Sequence, residues 1–157
     1  MWYDAYSGGL MLYARNWLSE EAAGDAVQVA FVRLMGQAAA PRDVKAWLFR
    51  TVRNEAITRL RKRERRVRHF GRMLSEGPSW FESREEDLID AHTAQEILLE
   101  LPQEQNEVVL LRIWGQLTLK QIAGVVGSPI TTVHSRYKTA LANIKERMQR
   151  SCRTKTD

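Results

Sequence analysis

Six polar or basic side chains share one face of a predicted helix in the last third of the chain. Thr118 and Gln121 have the spacing of a capping box, so a helix should start there and end at Gly127, where glycine takes a left-handed cap without strain. Ser128 and Pro129 then restart a helix as its N-cap and first residue. The polar face of this second helix, with one lysine from the first, supplies the candidate DNA-contacting residues Lys120, Thr131, Thr132, His134, Ser135, Arg136 and Lys138. Such groups suit base edges in the major groove, and the pattern predicts a DNA-binding helix-turn-helix, although a helical hairpin inside an ordinary core has similar spacing.

A second concentration of positive charge lies at the end of a long predicted helix in the first half of the chain. The ten residues Arg59–Arg68 contain seven Lys or Arg. Cations near a helix C-terminus favour the helix dipole, but the dipole acts only over the last turn and does not need seven of them. Backbone phosphates are the expected target, because neutralising them releases condensed counterions.

Charge is segregated along the chain. The net charge of +5 divides into +6 for residues 1–70, −6 for residues 71–100 and +5 for residues 101–157. A solvated surface usually mixes both signs. Two basic blocks around an acidic connector therefore favour a polyanionic partner for each block.

Enzyme, metal and membrane functions find little support in the residues. The single cysteine, Cys152, excludes a disulfide framework and a cysteine cluster for zinc. His69, His92 and His134 are far apart in sequence, and no P-loop motif occurs. The chain starts without a basic and apolar leader, and no apolar run approaches the roughly 20 residues that span a bilayer. We expect a cytoplasmic protein with no catalytic activity, cofactor or metal, and no membrane insertion.

Helical periodicity runs through the whole sequence. Apolar residues recur at steps of three or four, and β-branched residues never alternate with polar ones for long. The predicted fold class is all-α, with two small helical domains joined by an acidic linker and a helix-turn-helix in the second. Besides the helix-turn-helix pair, helices are predicted over residues 3–18, 20–35, 43–69, 83–101 and 103–114, with Ser19, Asp43 and Ser83 as N-caps.

The second predicted helix has two faces of different character. Its inner stripe is apolar from Ala23 to Met35. The opposite face carries Asp25, Gln28, Val29 and Val32. Two valines are out of place on a solvated surface, so this face either binds a partner or is covered by its own domain.

Three segments resemble the extracytoplasmic-function type of bacterial RNA polymerase sigma factor. Ala23–Leu34 (AGDAVQVAFVRL) is similar to the family's helix that docks on the clamp helices of RNA polymerase. Val44–Arg66 (VKAWLFRTVRNEAITRLRKRERR) is similar to the helix that meets the −10 promoter element. Leu101–Leu141 is similar to the domain that binds the −35 element. They occur in the family's order and spacing.

The resemblance implies a domain organisation and partners. Residues 1–70 would form sigma domain 2, residues 71–94 the linker, and residues 95–157 sigma domain 4 with a short polar tail. Asp25, Gln28, Val29 and Val32 would bind core RNA polymerase, and an anti-sigma factor is left open as a further partner beside promoter DNA. The implied −10 contacts are Gln37, Arg42, Lys45, Arg50, Arg53, Asn54 and Arg61.

A different class of regulator shares part of this pattern. A free-standing, dimeric transcriptional regulator would carry the same helix-turn-helix, with a helical effector or dimerisation domain in front of it. It is the less favoured reading, because the basic run Arg59–Arg68 would have no role in such a protein.

Overall fold

Seven α-helices make up the part of the chain that the computed structural model describes, residues 1–70 and 88–154. Within these ranges there is no strand, so the all-α prediction is confirmed. The helices are α1 (Trp2–Ala14), α2 (Glu20–Met35), α3 (Val44–Phe70), α4 (Leu88–Glu100), α5 (Gln103–Ile113), α6 (Leu119–Val126) and α7 (Ile130–Thr154). Most of the predicted linker and the predicted helix start at Ser83 lie outside the described residues. None of the described helices is long and apolar enough to cross a membrane.

The N-terminal domain, α1 to α3, packs around small side chains of α2. Ala23, Ala26 and Ala30 are fully buried, and their size lets α1 and α3 approach closely. α1 contributes Leu10 and α3 contributes Leu48, both with no exposed surface. These contacts fix the position of the start of α3 relative to the exposed face of α2.

Helix caps form mostly where the sequence predicts them. Asp43 Oδ1 accepts a hydrogen bond from Ala46 N at 3.0 Å, and Ser19 Oγ accepts one from Ala22 N at 3.4 Å. Thr118 and Gln121 form a complete capping box. The predicted Ser128 cap is shifted by one residue, because Pro129 O accepts the first helical hydrogen bond from Val133 N.

Two expectations on the N-terminal domain need correction. α1 ends at Ala14 and not at residue 18, because the chain turns there to bury Leu18 and start α2 at its Ser19 cap. Met35 belongs to the outer face of α2 and not to its inner stripe, with 78% of its surface exposed. It extends the outward apolar patch that begins at Val32.

The C-terminal domain, α4 to α7, is built around α5. Six consecutive α5 residues, Asn106–Leu111, are buried, so this helix is covered on all sides. α7 and α6 cover part of it from within the domain, and α1 of the N-terminal domain reaches it from the other side. α7 adds the buried side chains of Val133 and Ala140 along one stripe.

The two domains share one continuous hydrophobic core in this structure. Buried side chains of both, such as Leu48 of α3 and Ile122 of α6, belong to the same cluster. α3 packs along α6, the first helix of the helix-turn-helix. The helix that starts the predicted −10 face therefore lies against the C-terminal domain.

The turn of the helix-turn-helix provides a stability prediction. Gly127 adopts φ +68°, and a Cβ added there would meet nothing within 4 Å, so the cost of alanine is purely conformational. We expect Gly127→Ala to lower the free energy of unfolding by about 1–2 kcal/mol. Gly124→Ala is the matched control, since Gly124 is exposed inside α6 with equally open space. It should raise stability by about 0.5–1 kcal/mol. Urea titrations of both variants measure the two changes in the free energy of unfolding. Changes of the same sign would contradict the prediction.

Candidate nucleic-acid interface

The outer face of α7 is the most regular polar surface of the C-terminal domain. Thr131, His134, Ser135 and Lys138 are all exposed, at helical steps that place them on one side. Val133 and Ala140 lie buried on the opposite side and hold the helix against α5. Lys120 is exposed on α6. The face offers hydroxyl, imidazole and ammonium groups to a partner such as duplex DNA.

Arg136 does not lie on this outer face, contrary to the sequence-based expectation. Its guanidinium donates to Ser128 Oγ at 3.3 Å and pairs with Glu104 Oε2 at 3.2 Å. The reason is helical geometry, because residue 136 falls beside the buried stripe and not opposite it. Thr132, one turn earlier on the same flank, is half-buried. Base reading by Arg136 stays a prediction, and it requires that the pair with Glu104 be released.

Five of the seven residues predicted to contact the −10 element are exposed. Gln37 donates to the backbone oxygen of Arg33 at 3.1 Å, which steadies the end of α2. The exposed set is Gln37, Arg42, Arg50, Asn54 and Arg61. Their role in DNA contact stays a prediction.

The other two, Lys45 and Arg53, are engaged by the C-terminal domain. Lys45 Nζ donates to the backbone oxygen of Gln116 at 3.0 Å and lies 5.9 Å from the centre of the Tyr6 ring. Burial lowers the pKa of Lys45, and the nearby carboxylate of Asp43 opposes that effect. Gln116 has φ 51°, an unusual conformation for a residue other than glycine, at the point where its carbonyl accepts this bond.

A buried carboxylate joins the domains. Glu107 Oε1 accepts hydrogen bonds from Tyr13 OH and from Arg53 Nε, each at 2.6 Å. The side chain of Glu107 is 8% exposed and that of Arg53 is 23% exposed. Charge-assisted hydrogen bonds of this length are strong, and burial limits their screening by solvent. We call Tyr13, Arg53 and Glu107 the buried triad.

Electrostatics inside the buried triad follow from burial and from the carboxylate. Burial raises the pKa of Tyr13 well above its usual value, and the negative charge of Glu107 raises it further. Burial by itself would lower the pKa of Arg53. The hydrogen bond and charge of Glu107 outweigh that effect and raise it. Arg53 therefore stays charged and Tyr13 stays protonated at neutral pH.

Further polar contacts flank the buried triad. Gln121 Nε2 donates to Asp43 Oδ2 at 2.8 Å, which links the capping box of α6 to the cap of α3. Asn106 Nδ2 donates to Asn16 Oδ1 at 3.3 Å. Asn16 Nδ2 and Asn106 Oδ1 are buried and have no hydrogen-bond partner among the described residues. The contact between the domains thus combines a shared apolar core with polar links, of which the asparagine pair is incompletely satisfied.

Sequence reasoning missed the triad residues Tyr13 and Glu107. Tyr13 reads as one more apolar position of α1. Glu107 carried a signal, because it and Asn106 stand directly before the apolar run Val108–Leu111 and share its helix. Polar groups that are buried beside such a run need hydrogen-bond partners, but the sequence does not say which.

The predicted docking face lies exposed on α2. Asp25, Gln28 and Val32 are exposed, and Val29 is half-buried. Val32 is 57% exposed and, with Met35, makes an apolar patch. Asp25 pairs with Arg59 at 3.7 Å. The arrangement fits a partner that contributes apolar contacts, and the assignment of that partner stays a prediction.

The basic end of α3 projects into solvent. Arg59 Nε pairs with Glu55 Oε1 at 3.0 Å. The later cations of the run are exposed. The exposed cations of this run are Arg61, Lys62, Arg63, Arg65, Arg66 and Arg68. Such a density of exposed positive charge suits phosphate contact.

Two family profiles match the two domains. The profile described as Sigma-70 region 2 matches residues 2–66, and the profile described as Sigma-70, region 4 matches residues 92–144. A curated relative, the ECF RNA polymerase sigma factor RpoE of Cereibacter sphaeroides, is 28% identical over 112 residues, which are 67% of this chain and 58% of that protein. The chain thus spans less than two thirds of the length of this relative.

A solved structure supports the fold. The sigma factor RpoE of Bartonella quintana, crystallised with the anti-sigma factor NepR, superposes with a TM-score of 0.68 at 22% identity. The match covers 94% of each chain. At that identity the likeness concerns the fold alone.

The buried triad generates a prediction on alkaline stability. In the folded state the raised pKa keeps the proton on Tyr13, whereas the unfolded chain releases it near pH 10. The stabilisation is therefore complete below about pH 10 and is lost as pH rises above it. Tyr13→Phe should lose about 1.5–3 kcal/mol at pH 7, the range for hydrogen bonds to charged groups. Urea titrations at increasing alkaline pH should show a decreasing difference in unfolding free energy between the parent and Tyr13→Phe. A difference that does not change with pH would contradict the prediction.

Proposed function

Because the chain belongs to the sigma-70 family, in the two-region form of the extracytoplasmic-function sigma factors, we propose that it is an alternative sigma factor. It binds core RNA polymerase and directs promoter recognition and opening in transcription initiation. The observation that carries the proposal is the presence of both regions in one chain, each with its own exposed basic surface.

Region 4 supplies the proposed −35 contacts. The exposed face of α7 supports this role, because Thr131, His134, Ser135 and Lys138 protrude together from a helix held rigidly by its opposite stripe. Lys120 on α6 adds a cation for the backbone. Hydroxyl and imidazole groups on such a face read base edges, while lysines position the helix on phosphates.

Region 2 supplies the proposed −10 and polymerase contacts. The exposed residues around the start of α3 would meet the unpaired strand, and the basic run Arg59–Arg68 would meet phosphates. The patch of Val32 and Met35 on α2 supports polymerase docking, because a large exposed apolar pair is costly in a free protein and useful at an interface.

The proposal also includes the bounds of the two regions, the location of the protein and a further partner. We assign residues 1–70 to region 2, residues 71–94 to the linker and residues 95–157 to region 4 with its tail. The proposed protein is cytoplasmic and acts by binding, without catalysing a reaction. An anti-sigma factor is a reasonable further partner, because the Bartonella sigma factor of similar fold was crystallised with one.

A free-standing dimeric regulator is not favoured. It would carry an effector or dimerisation domain in front of the helix-turn-helix, whereas residues 2–66 match Sigma-70 region 2. That match includes the docking helix α2 and most of the basic run, and neither has a role in the regulator.

Dependence on polymerase tests the proposal most directly. The isolated chain should bind duplex DNA weakly, with strong salt dependence and little sequence preference, because its two DNA-binding surfaces are not held for simultaneous contact. Core RNA polymerase together with the chain should open and transcribe specific genomic promoter fragments. In vitro transcription with and without the chain measures this. Tight, sequence-specific binding of duplex by a dimer of the chain alone would favour the regulator instead.

The docking face has its own test. Val32→Lys places a charge in the exposed patch of α2 and leaves the buried alanine stripe intact. We expect the variant to fold normally and to lose core polymerase affinity by at least tenfold, as for a central interface residue worth more than 1.4 kcal/mol. Ala94→Lys adds the same charge at an exposed position of α4 and should bind like the parent. Unchanged affinity of a folded Val32→Lys protein would remove this face from the polymerase contact.

A further inference from the structure

One histidine stands among the hydroxyl and ammonium groups on the outer face of α7. We propose that His134, as the charged imidazolium, contacts a backbone phosphate of DNA beside Lys138, so that DNA binding by this face takes up a proton. The inference rests on the proposed function of the outer face in DNA contact. It goes beyond that function, because it adds a proton-linked phosphate contact to the base-edge role of the neutral imidazole.

The imidazole of His134 is exposed and has no partner among the described residues. Val133, its neighbour in sequence, lies on the buried stripe that packs against α5. Within residues 1–70 and 88–154, His134 makes no hydrogen bond or ion pair. Arg136 differs in this respect, because Glu104 and Ser128 already hold its guanidinium. The ring nitrogens of His134 are therefore available to an external partner.

The neighbours of His134 along the outer face favour an anionic partner. Thr131 lies three residues before it and Lys138 four residues after it, and both side chains are exposed on the same side of the helix. An imidazolium and an ammonium at this spacing repel each other, and a phosphate that contacts both replaces repulsion by attraction. The imidazolium also presents two N–H donors, whereas the neutral ring has one donor and one acceptor.

Charged groups on the helices next to α7 are cations or are already paired. α6 carries Lys120 as its charged side chain. On α5, Glu104 pairs with Arg136, and Glu107 is buried against Arg53 of the N-terminal domain. The remaining charged residue of α5, Arg112, donates to the backbone oxygen of Leu117.

The other carboxylates near α7 meet it far along the helix. α4 carries Glu96 and Glu100, and Glu100 pairs with Arg147, which lies roughly 20 Å beyond His134 at 1.5 Å per residue. Glu146 is about 18 Å along the same helix and pairs with Arg150. A charged imidazole at His134 therefore has to find its counter-anion in a binding partner.

A phosphate contact of this kind couples DNA binding to pH. Histidine is the side chain whose ordinary charge change falls between pH 5 and 8, whereas hydroxyl and ammonium groups keep one charge state over that range. A phosphate stabilises the charged ring, so binding draws a proton onto it. The affinity should consequently rise as pH falls.

Fluorescence anisotropy of the full chain with a labelled duplex of mixed sequence measures this coupling. Titrations at about pH 6 and about pH 8, at 50 and 200 mM salt, give four affinities for each variant. The parent should show a slope of log affinity against log salt that is steeper at the lower pH by about 0.9, the value for one added phosphate contact. The gain in affinity on acidification should therefore be about 3.5 times larger at 50 mM than at 200 mM salt.

Substitutions of His134 separate its charge from its shape. His134→Gln retains hydrogen-bonding groups but cannot gain a charge, and it should lose the additional slope at low pH. His134→Lys keeps a constant charge and should show the steep slope at both pH values. The matched control is His69→Gln, which removes an exposed histidine at the end of α3 and should behave like the parent. Circular dichroism at both pH values verifies that each variant is folded.

Lys138→Ala distinguishes failure of this proposal from failure of the proposed function. Unchanged affinity of Lys138→Ala at both pH values would remove the outer face of α7 from DNA contact, and the proposed −35 role would fall together with the phosphate contact. Weaker binding by Lys138→Ala, with the pH and salt response of the parent retained in His134→Gln, would overturn the phosphate contact of His134 alone.

Two further outcomes would also overturn the phosphate contact. A pH response that is lost in His69→Gln and retained in His134→Gln would assign the proton to the end of α3. A pH response with no change in salt slope, seen with only one of two duplexes of unrelated sequence, would assign the imidazole of His134 to a base edge. The phosphate contact requires the same pH response with both duplexes, because backbone phosphates carry no sequence information.

Discussion

A carboxylate buried between a tyrosine hydroxyl and a guanidinium organises the arrangement of the two domains. Glu107 lies on the helix at the centre of the C-terminal domain, and both its partners belong to the N-terminal domain. A buried charge without partners would cost several kcal/mol, so α5 cannot be covered in this way unless Tyr13 and Arg53 are present. The position of α5 against α1 and α3 depends on this requirement, while α6 packs on α3 through the shared apolar core and the Gln121–Asp43 hydrogen bond.

The same contact between the domains occupies Lys45 and Arg53, two cations that are assigned to the −10 element from the sequence. Apolar burial sets the structure of each domain through stripes such as the alanines of α2 and the Val133–Ala140 face of α7. Those stripes leave the outer face of α7 and the patch on α2 exposed. The polar contact between the domains draws on a third surface, the start of α3, whose cations are also those a nucleic acid would neutralise.

The comparison with related proteins agrees with the division of the chain into two helical domains. The two family profiles cover the two helical domains and omit the acidic segment between them. The structural likeness extends over 94% of the chain despite only 22% identity. Folds of this kind tolerate wide sequence change because helix packing depends on the size and spacing of apolar side chains, whereas polar contacts such as Glu107–Arg53 require particular residues.

Much of the local structure was determined by the sequence alone. The capping box at Thr118, the left-handed Gly127, the Asp43 cap and the all-α class depend on groups a few residues apart, and the chain carries those signals directly. Four of the residues assigned to the outer face of α7 lie there as the helical period predicts, Thr131, His134, Ser135 and Lys138, whereas Thr132 and Arg136 lie beside the buried stripe. Only the tertiary structure decided the partners of Lys45 and Arg53, which lie 71 and 54 residues away. It also supplied Glu104 of α5 as the partner of Arg136, whereas the position of Arg136 beside the buried stripe of α7 follows from the helical period.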